Sequence, residues 1–184
     1  MKRIVIGILA LATLPVFGCK KLKSLANINI DIPYSTQVTM PVVYEEGVPI
    51  PFGGYKATIG PIGITTNSRQ YMAEYNTDAD NIVSVQLSKL MMKILSPSTE
   101  SIDFLDTVRV YISAQGQPEV LAAYSLGRVG GDSLALTCSQ QSLKPYFLAD
   151  VMNIKLVGHF NRVPAPGTTV EINSVFHMVA NPLY

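Results

Sequence analysis

From residue 26 onward, apolar and polar positions alternate with a period of two, and long runs of helical spacing are absent. In LANINIDI, Ala26, Ile28, Ile30 and Ile32 share one face, while Asn27, Asn29 and Asp31 share the other. TQVTMPVVY repeats the pattern with Val38, Met40, Val42 and Tyr44, and Pro41 inside that run suggests an edge strand. The Gly- and Pro-rich stretch 45–64 reads as a connection or a distorted edge strand. SRQYMAEY, 68–75, fits a short helix capped by Asn67 or Ser68, with Tyr71 and Tyr75 one turn apart.

The strongest strand signal lies at 82–95, where the apolar phase slips. Val83, Val85 and Leu87 are odd-numbered, but Leu90, Met92 and Ile94 are even, so one extra residue, a β-bulge, is predicted at Ser88-Lys89. SPSTESIDFLD reads as a loop with one helical turn. Three further strands place Val108, Val110 and Ile112, then Val120, Ala122, Tyr124 and Leu126, then Leu134, Leu136 and Cys138 inward. A Gly-rich turn at 127–133 and a turn or short helix at LKPYF separate them. Two long strands, 149–160 and 168–180, close the chain, joined by RVPAPGT as a hairpin. Met152, Ile154, Leu156 and Phe160 share one face of the first; Val170, Ile172, Phe176 and Met178 share one face of the second.

About eight strands with turn signals every 8–12 residues predict an all-β fold, an antiparallel β-sandwich of Greek-key or jelly-roll type with one or two short helices. A partly closed barrel is the alternative. Residues 25–184 are expected to form a single domain, with 25–66 a candidate separate segment.

The first 24 residues have a different character. Met1-Lys2-Arg3 precedes an uncharged stretch from Ile4 to Gly18. This is the shape of a secretory signal, and it falls short of the roughly 20 residues needed to span a bilayer. Val16-Phe17-Gly18-Cys19 reads as a lipobox: cleavage between Gly18 and Cys19, with Cys19 acylated. Residues 1–18 are then a signal peptide and 19–24 a lipidated tether. Two or more acyl chains, at about 0.8 kcal/mol per buried CH₂, would make the anchor permanent. Lys20, Lys21 and Lys23 follow, each worth about 1 kcal/mol near anionic headgroups, or simply a solvated tether.

Cleavage leaves 166 residues with 12 basic and 13 acidic side chains, a formal charge of −1. That balance argues against nucleic acid as a partner. The chain has two cysteines; with Cys19 lipidated, Cys138 has no partner for an intrachain disulfide and reads as an inert buried thiol.

From residue 82 the chain resembles a group of uncharacterised β-sandwich envelope lipoproteins of the Bacteroides type. VQLSKLMMKILSP, FLDTVRVYISAQGQPEVLAAY, LKPYFLADVMNIKLVGHFN and FHMVANPLY carry the resemblance, over a little more than half the chain. It implies a lipid-anchored all-β domain and brings no catalytic residue. In such envelopes an acidic cluster after the lipid cysteine marks export to the cell surface. Lys20-Lys21-Leu22 stands there instead, which favours the periplasmic side of the outer membrane.

Chemistry is sparse. Gly131-Asp132-Ser133-Leu134 spells the string that names a family of serine esterases, but neither histidine has the Asp three residues upstream that completes such a triad: Leu156 precedes His159, and Ser174 precedes His177. A hairpin turn, with Gly130 and Gly131 at positive φ, is the plainer reading. Both histidines fall on the outward phase of their strands. In the expected hairpin they would lie roughly 20–25 Å apart at about 3.3 Å per residue, too far to share a metal. Asn76, Asp78 and Asp80 resemble the start of a calcium loop, yet Asn81 and Leu87 stand where an EF-hand requires Gly and Glu, so Asx turns are expected. Glu100, Asp103 and Asp106 recur every three residues, a pattern that suits solvent. HExxH, Walker A, GxSxG and SxxK are absent.

No catalytic residue, cofactor or metal site is therefore assigned. Tyr111, on the polar phase of its strand, is the candidate for stacking against a sugar ring, with Asp78 and Asp80 as further ligand-binding candidates. The functional expectation is a non-enzymatic, lipid-anchored envelope protein acting as a structural or protein-interaction module. The alternative is a lipoprotein that binds a glycan or another small ligand. The partners implied are the membrane, through the lipid, and an envelope protein or glycan.

Overall fold

A computed structural model describes residues 27–41, 50–127 and 130–181. Eight strands carry it: β1 (Ile28–Thr39), β2 (Tyr55–Thr65), β3 (Ile82–Ser96), β4 (Leu105–Ala114), β5 (Gln117–Leu126), β6 (Ser133–Cys138), β7 (Val151–Phe160) and β8 (Thr169–Ala180). Two short helices, α1 (Ser68–Glu74) and α2 (Lys144–Leu148), and one 3-10 turn (Ile102–Phe104) complete it. The fold is all-β and antiparallel, in the strand order β1-β8-β3-β6-β5-β4-β7-β2. This is the order of a jelly roll: a β1-β8-β3-β6 half and a β2-β7-β4-β5 half. The halves join where β6 leaves β3 and pairs with β5, through Ala123↔Cys138 and Tyr124↔Thr137.

The sheet curls around a single core. Ile32, Val85, Leu90 and Phe176 enter it from one half, and Val110, Ile112, Ile154 and Phe160 from the other. Each such side chain contributes about 1.5–3 kcal/mol by leaving water. α2 closes one end by burying Tyr146 and Phe147, and Lys144 Nζ ties it to the Ile82 carbonyl at 2.5 Å.

The predicted bulge is present. Leu87 pairs with Phe176 and Lys89 with Val175, leaving Ser88 unpaired in register; its hydroxyl donates to the Val175 carbonyl at 3.0 Å. A second slip between Ile82 and Ser84 corrects one expectation: Ile82 is buried, and Val83 is 58% exposed. β5 is corrected likewise. Val110 pairs with Ala123 and Tyr111 with Leu121, so Ala122 is the extra residue. Ala122 and Ala123 are both buried, Tyr124 is half-buried, and Leu126 is turned out to solvent.

Two connections differ from expectation, and the Gly- and Pro-rich stretch resolves to one of its two expected readings. The two N-terminal strand signals merge into one strand, β1, which runs through Pro33 and ends before Pro41. The strand end of the stretch 45–64 is β2, a distorted edge with a register shift between Ile59 and Ile62. β7 and β8 are not a hairpin: β7 lies between β4 and β2, and β8 between β3 and β1, in opposite halves. The described parts of 25–66 are β1 and β2, the two outermost strands of the sheet. Asn67 does precede α1, but in the left-handed region (φ 51°) and without a side-chain capping bond. Among the described residues, no helix is long and apolar enough to cross a membrane.

Candidate functional site

Gly18 and Cys19 lie outside the described residues. The three ligand-binding candidates do not converge. Tyr111 points outward from β4, but Lys155 of the adjacent strand lies over its ring, with Nζ 5.2 Å from the centroid. Glu119 holds that ammonium at 2.5 Å, so this ring face is already occupied. Asp78 and Asp80 are exposed and precede β3, in the other half. The Asp78 carboxylate accepts from the Asn81 N–H at 3.0 Å, a local side-chain-to-backbone bond one residue longer than the Asx turn expected from sequence. Among the described residues, no group of three or more His, Cys, Asp or Glu is placed to hold a metal.

The hairpin that separated the histidines is absent, so their distance has to be judged from the partners they actually have. His159 Nδ1 faces Asp106 at 3.4 Å, and His177 Nδ1 faces Asp31 at 2.8 Å. They stand on strands of opposite halves. Ser133 opens β6, opposite Lys93. The preceding turn has Gly131, not Gly130, at positive φ, and the Gly131 carbonyl accepts from Ile102 N and Ser101 Oγ, both at 2.9 Å. Cys138 is half-buried at the junction of the halves, and burial pushes its thiol up, away from the reactive thiolate.

The acidic row at 100–106 is not simply solvated. Arg162, just past β7, contacts Glu100 at 2.5 Å and Asp103 at 2.6 Å, and its guanidinium lies over the Phe104 ring. Asn161 donates to Asp106 at 2.8 Å. Glu100 also accepts from the backbone N–H groups of Ser101 (2.9 Å) and Ala165 (2.8 Å). Burial pushes its carboxyl up. The bonds from Arg162, Ala165 and Ser101 outweigh that and hold it below the usual carboxylate range. This cluster clasps the β7–β8 crossover to the loop before β4. Sequence spacing did not reveal it, because Arg162 stands about sixty residues from its partners.

The longest regular feature open to a partner is the free edge of β1. All twelve residues pair with β8 without a slip. Met40 N donates to the Thr168 carbonyl at 2.8 Å, continuing the same register. In an antiparallel ladder, hydrogen-bonding residues alternate, so even-numbered residues of β1 bond to β8 and odd-numbered ones turn N–H and C=O outward. The odd set is Asn29, Asp31, Pro33, Ser35, Gln37 and Thr39, all with exposed side chains. Pro33 belongs to the outward set, so its missing N–H removes no bond to β8. Ser35, Gln37 and Thr39 then offer consecutive outward donors and acceptors. Among the described residues, no strand pairs with this edge. β2, the opposite edge, is interrupted at Gly60-Pro61 and offers no such run. The Tyr34 hydroxyl of β1 donates to the Thr66 carbonyl just past β2, so the two edge strands approach each other there.

Two shallow clefts flank Asp150. One, of about 420 Å³, is lined by Thr65–Gln70; the other, of about 390 Å³, by Gln115, Val151 and Asn153. Arg69 faces Asp150 at 3.3 Å across the first. Hydroxyls, amides and the Arg69–Asp150 ion pair supply the polar part of these linings, Ala149 and Val151 add apolar wall to the second, and neither has an aromatic ring.

No known family model matches the sequence, and no curated protein does. Among solved structures, a chain from turnip yellow mosaic virus aligns over 100% of this chain and 92% of its own length, at 15% identity and a TM-score of 0.30. A chain from Desmodium yellow mottle tymovirus aligns over 85% of this chain and 91% of its own, at 11% identity and a TM-score of 0.23.

Proposed function

We propose that this chain is a non-enzymatic, lipid-anchored protein of the cell envelope that works as an interaction module, adding a strand of a partner protein to the open edge of β1. The observation that carries this reading is the unpaired run Ser35–Thr39 on a twelve-residue strand with no bulge. Natural sheets blunt long edges unless something pairs with them, and strand addition to an open edge is a recurrent mode of peptide recognition. The lipobox ending at Cys19 supports the location. Eight residues stand between Cys19 and Ile28, and such a length spans at most about 30 Å. A lipid on Cys19 would keep the Ile28 end of β1 within that reach of the outer membrane, on its periplasmic side.

A glycan- or small-ligand-binding lipoprotein is the second reading. The polar clefts beside Asp150 favour it over the Tyr111 site named from sequence, because Lys155 covers the Tyr111 ring.

A photoreactive amino acid at Ser35, introduced in cells, tests the edge. It is expected to yield one discrete adduct, and the same reagent at Lys93, on the outer face, to yield none. Gln37→Pro removes an outward N–H and no bond to β8, so the fold should survive with an unchanged circular dichroism spectrum while the adduct disappears. No adduct at position 35, or one indifferent to Gln37→Pro, would overturn the proposal.

A further inference from the structure

The outer face of the other half carries a small basic cleft. Lys56, His159 and Thr107 are direct cross-strand neighbours on β2, β7 and β4; Thr58, Val157 and Arg109 form the next row. With strands about 4.8 Å apart and same-face residues about 7 Å apart, the backbones carrying Lys56 and Arg109 lie roughly 12 Å from each other across His159. Side chains of that length converge over the middle strand. Lys56, Thr107, Arg109, Val157, Gly158 and His159 line one cleft of about 60 Å³.

Charge in the cleft is uncompensated. The Asp106 carboxylate is engaged by His159 and Asn161. Lys56 and Arg109 are both exposed and make no ion pair among the described residues. By contrast Lys155, one row along, is held by Glu119, and Arg162 by Glu100 and Asp103.

Local backbone fixes the wall. Gly54 has φ +86°, and a Cβ there would stand 2.9 Å from Cε1 of His159, besides colliding with the Phe160 carbonyl. The imidazole therefore lies directly against the Gly54 backbone, with Nδ1 turned to Asp106. Only a residue without a side chain lets the ring take that place.

A fork of donors on Arg109, an ammonium on Lys56 and a hydroxyl on Thr107 around a space of two waters' volume suit a single oxyanion group. A sugar ring or a peptide is too large. We infer that this cleft binds a phosphate monoester group, either free or as a lipid headgroup. The site is independent of the β1 edge and stands or falls separately.

Inorganic phosphate and dihexanoyl phosphatidic acid, titrated separately into the full-length protein in neutral detergent, test this by NMR. Saturable shifts confined to residues 54–58, 107–109 and 157–159 are expected, with affinity falling at least tenfold in Lys56→Ala/Arg109→Ala. Both side chains are exposed, so that variant should keep the wild-type spectrum elsewhere. Tighter binding of the lipid assigns the site to a headgroup, and equal or tighter binding of phosphate to a free monoester. Shifts that fail to saturate for both probes, or that persist unchanged in the double variant, overturn the inference.

Discussion

Glu100 shows why single residues were the hardest part of this chain to read. In sequence it is one of three acids at intervals of three, a solvated row. In the structure its side chain is 6% exposed and takes bonds from Arg162, Ser101 and Ala165. Two of these, from Arg162 and Ala165, come from a segment more than sixty residues away, which no local spacing encodes. Its carboxyl is held below its ordinary range, so its contribution is fully present above the unfolded value, about 4.3, and is lost as pH falls through the lower folded value. Glu100→Gln should cost about 2 kcal/mol at pH 7, the scale of a charged hydrogen bond. The gap to wild type should begin to narrow once pH falls below about 4.3 and keep narrowing down through the lower folded value. Urea melts across pH 3–7 check it; a gap constant with pH would mean the carboxylate charge is not what matters. Tyr111 shows the converse: its ring has a partner that sequence did not reveal. Its outward phase was legible, but the Lys155 above it belongs to β7, a neighbour fixed by topology and not by sequence proximity.

At the scale of elements the alternation was a good guide, and it failed where strands bulge. The slip at Ser88 was legible because strong apolar residues stand on both sides: Leu87 before, and Leu90, Met92 and Ile94 after. Deleting Ser88 removes the extra residue and leaves Leu87, Lys89 and Leu90 in plain alternation, so that second set should stay inward. The deletion variant is expected to keep a cooperative urea transition, and Ser88→Ala, which loses only one hydroxyl bond, to stay within about 1 kcal/mol of wild type. A deletion variant without a cooperative transition would show that the bulge itself is needed for folding. The slips at Val83 and Ala122 escaped notice because little follows them to mark a change of phase. Ile82 is the only described strand residue before the first, and small Ala123 begins the second. β1 was read as two strand signals, 25–32 and 36–44; Pro33 lies just past the first, on the open side of an edge, where it does not break a strand.

For the whole molecule, the all-β class follows from how many strands there are and how they alternate, but the order in which they pair does not. β7 and β8, adjacent in sequence, suggested a hairpin; each is instead the middle strand of a different half. The N-terminal assignment belongs to this scale too, since it decides where the protein resides. Metabolic labelling with a fatty-acid precursor should mark the wild type and leave Cys19→Ala unlabelled. Label that persists in the variant would remove the lipid anchor from the proposal.

The same partner order has a consequence in time. β4–β5 and β5–β6 are the ladders between consecutive strands; every other described ladder joins strands separated by at least one intervening strand. β8 sits between β1 and β3 and is the one described strand that pairs with β1. During synthesis β1 therefore has no described strand to bond with until residues 169–180 arrive. Folding dominated by such distant pairings is slow. On the export route that the proposed envelope location requires, such a chain would stay extended while it is threaded through a membrane and close only when residues 169–180 are through.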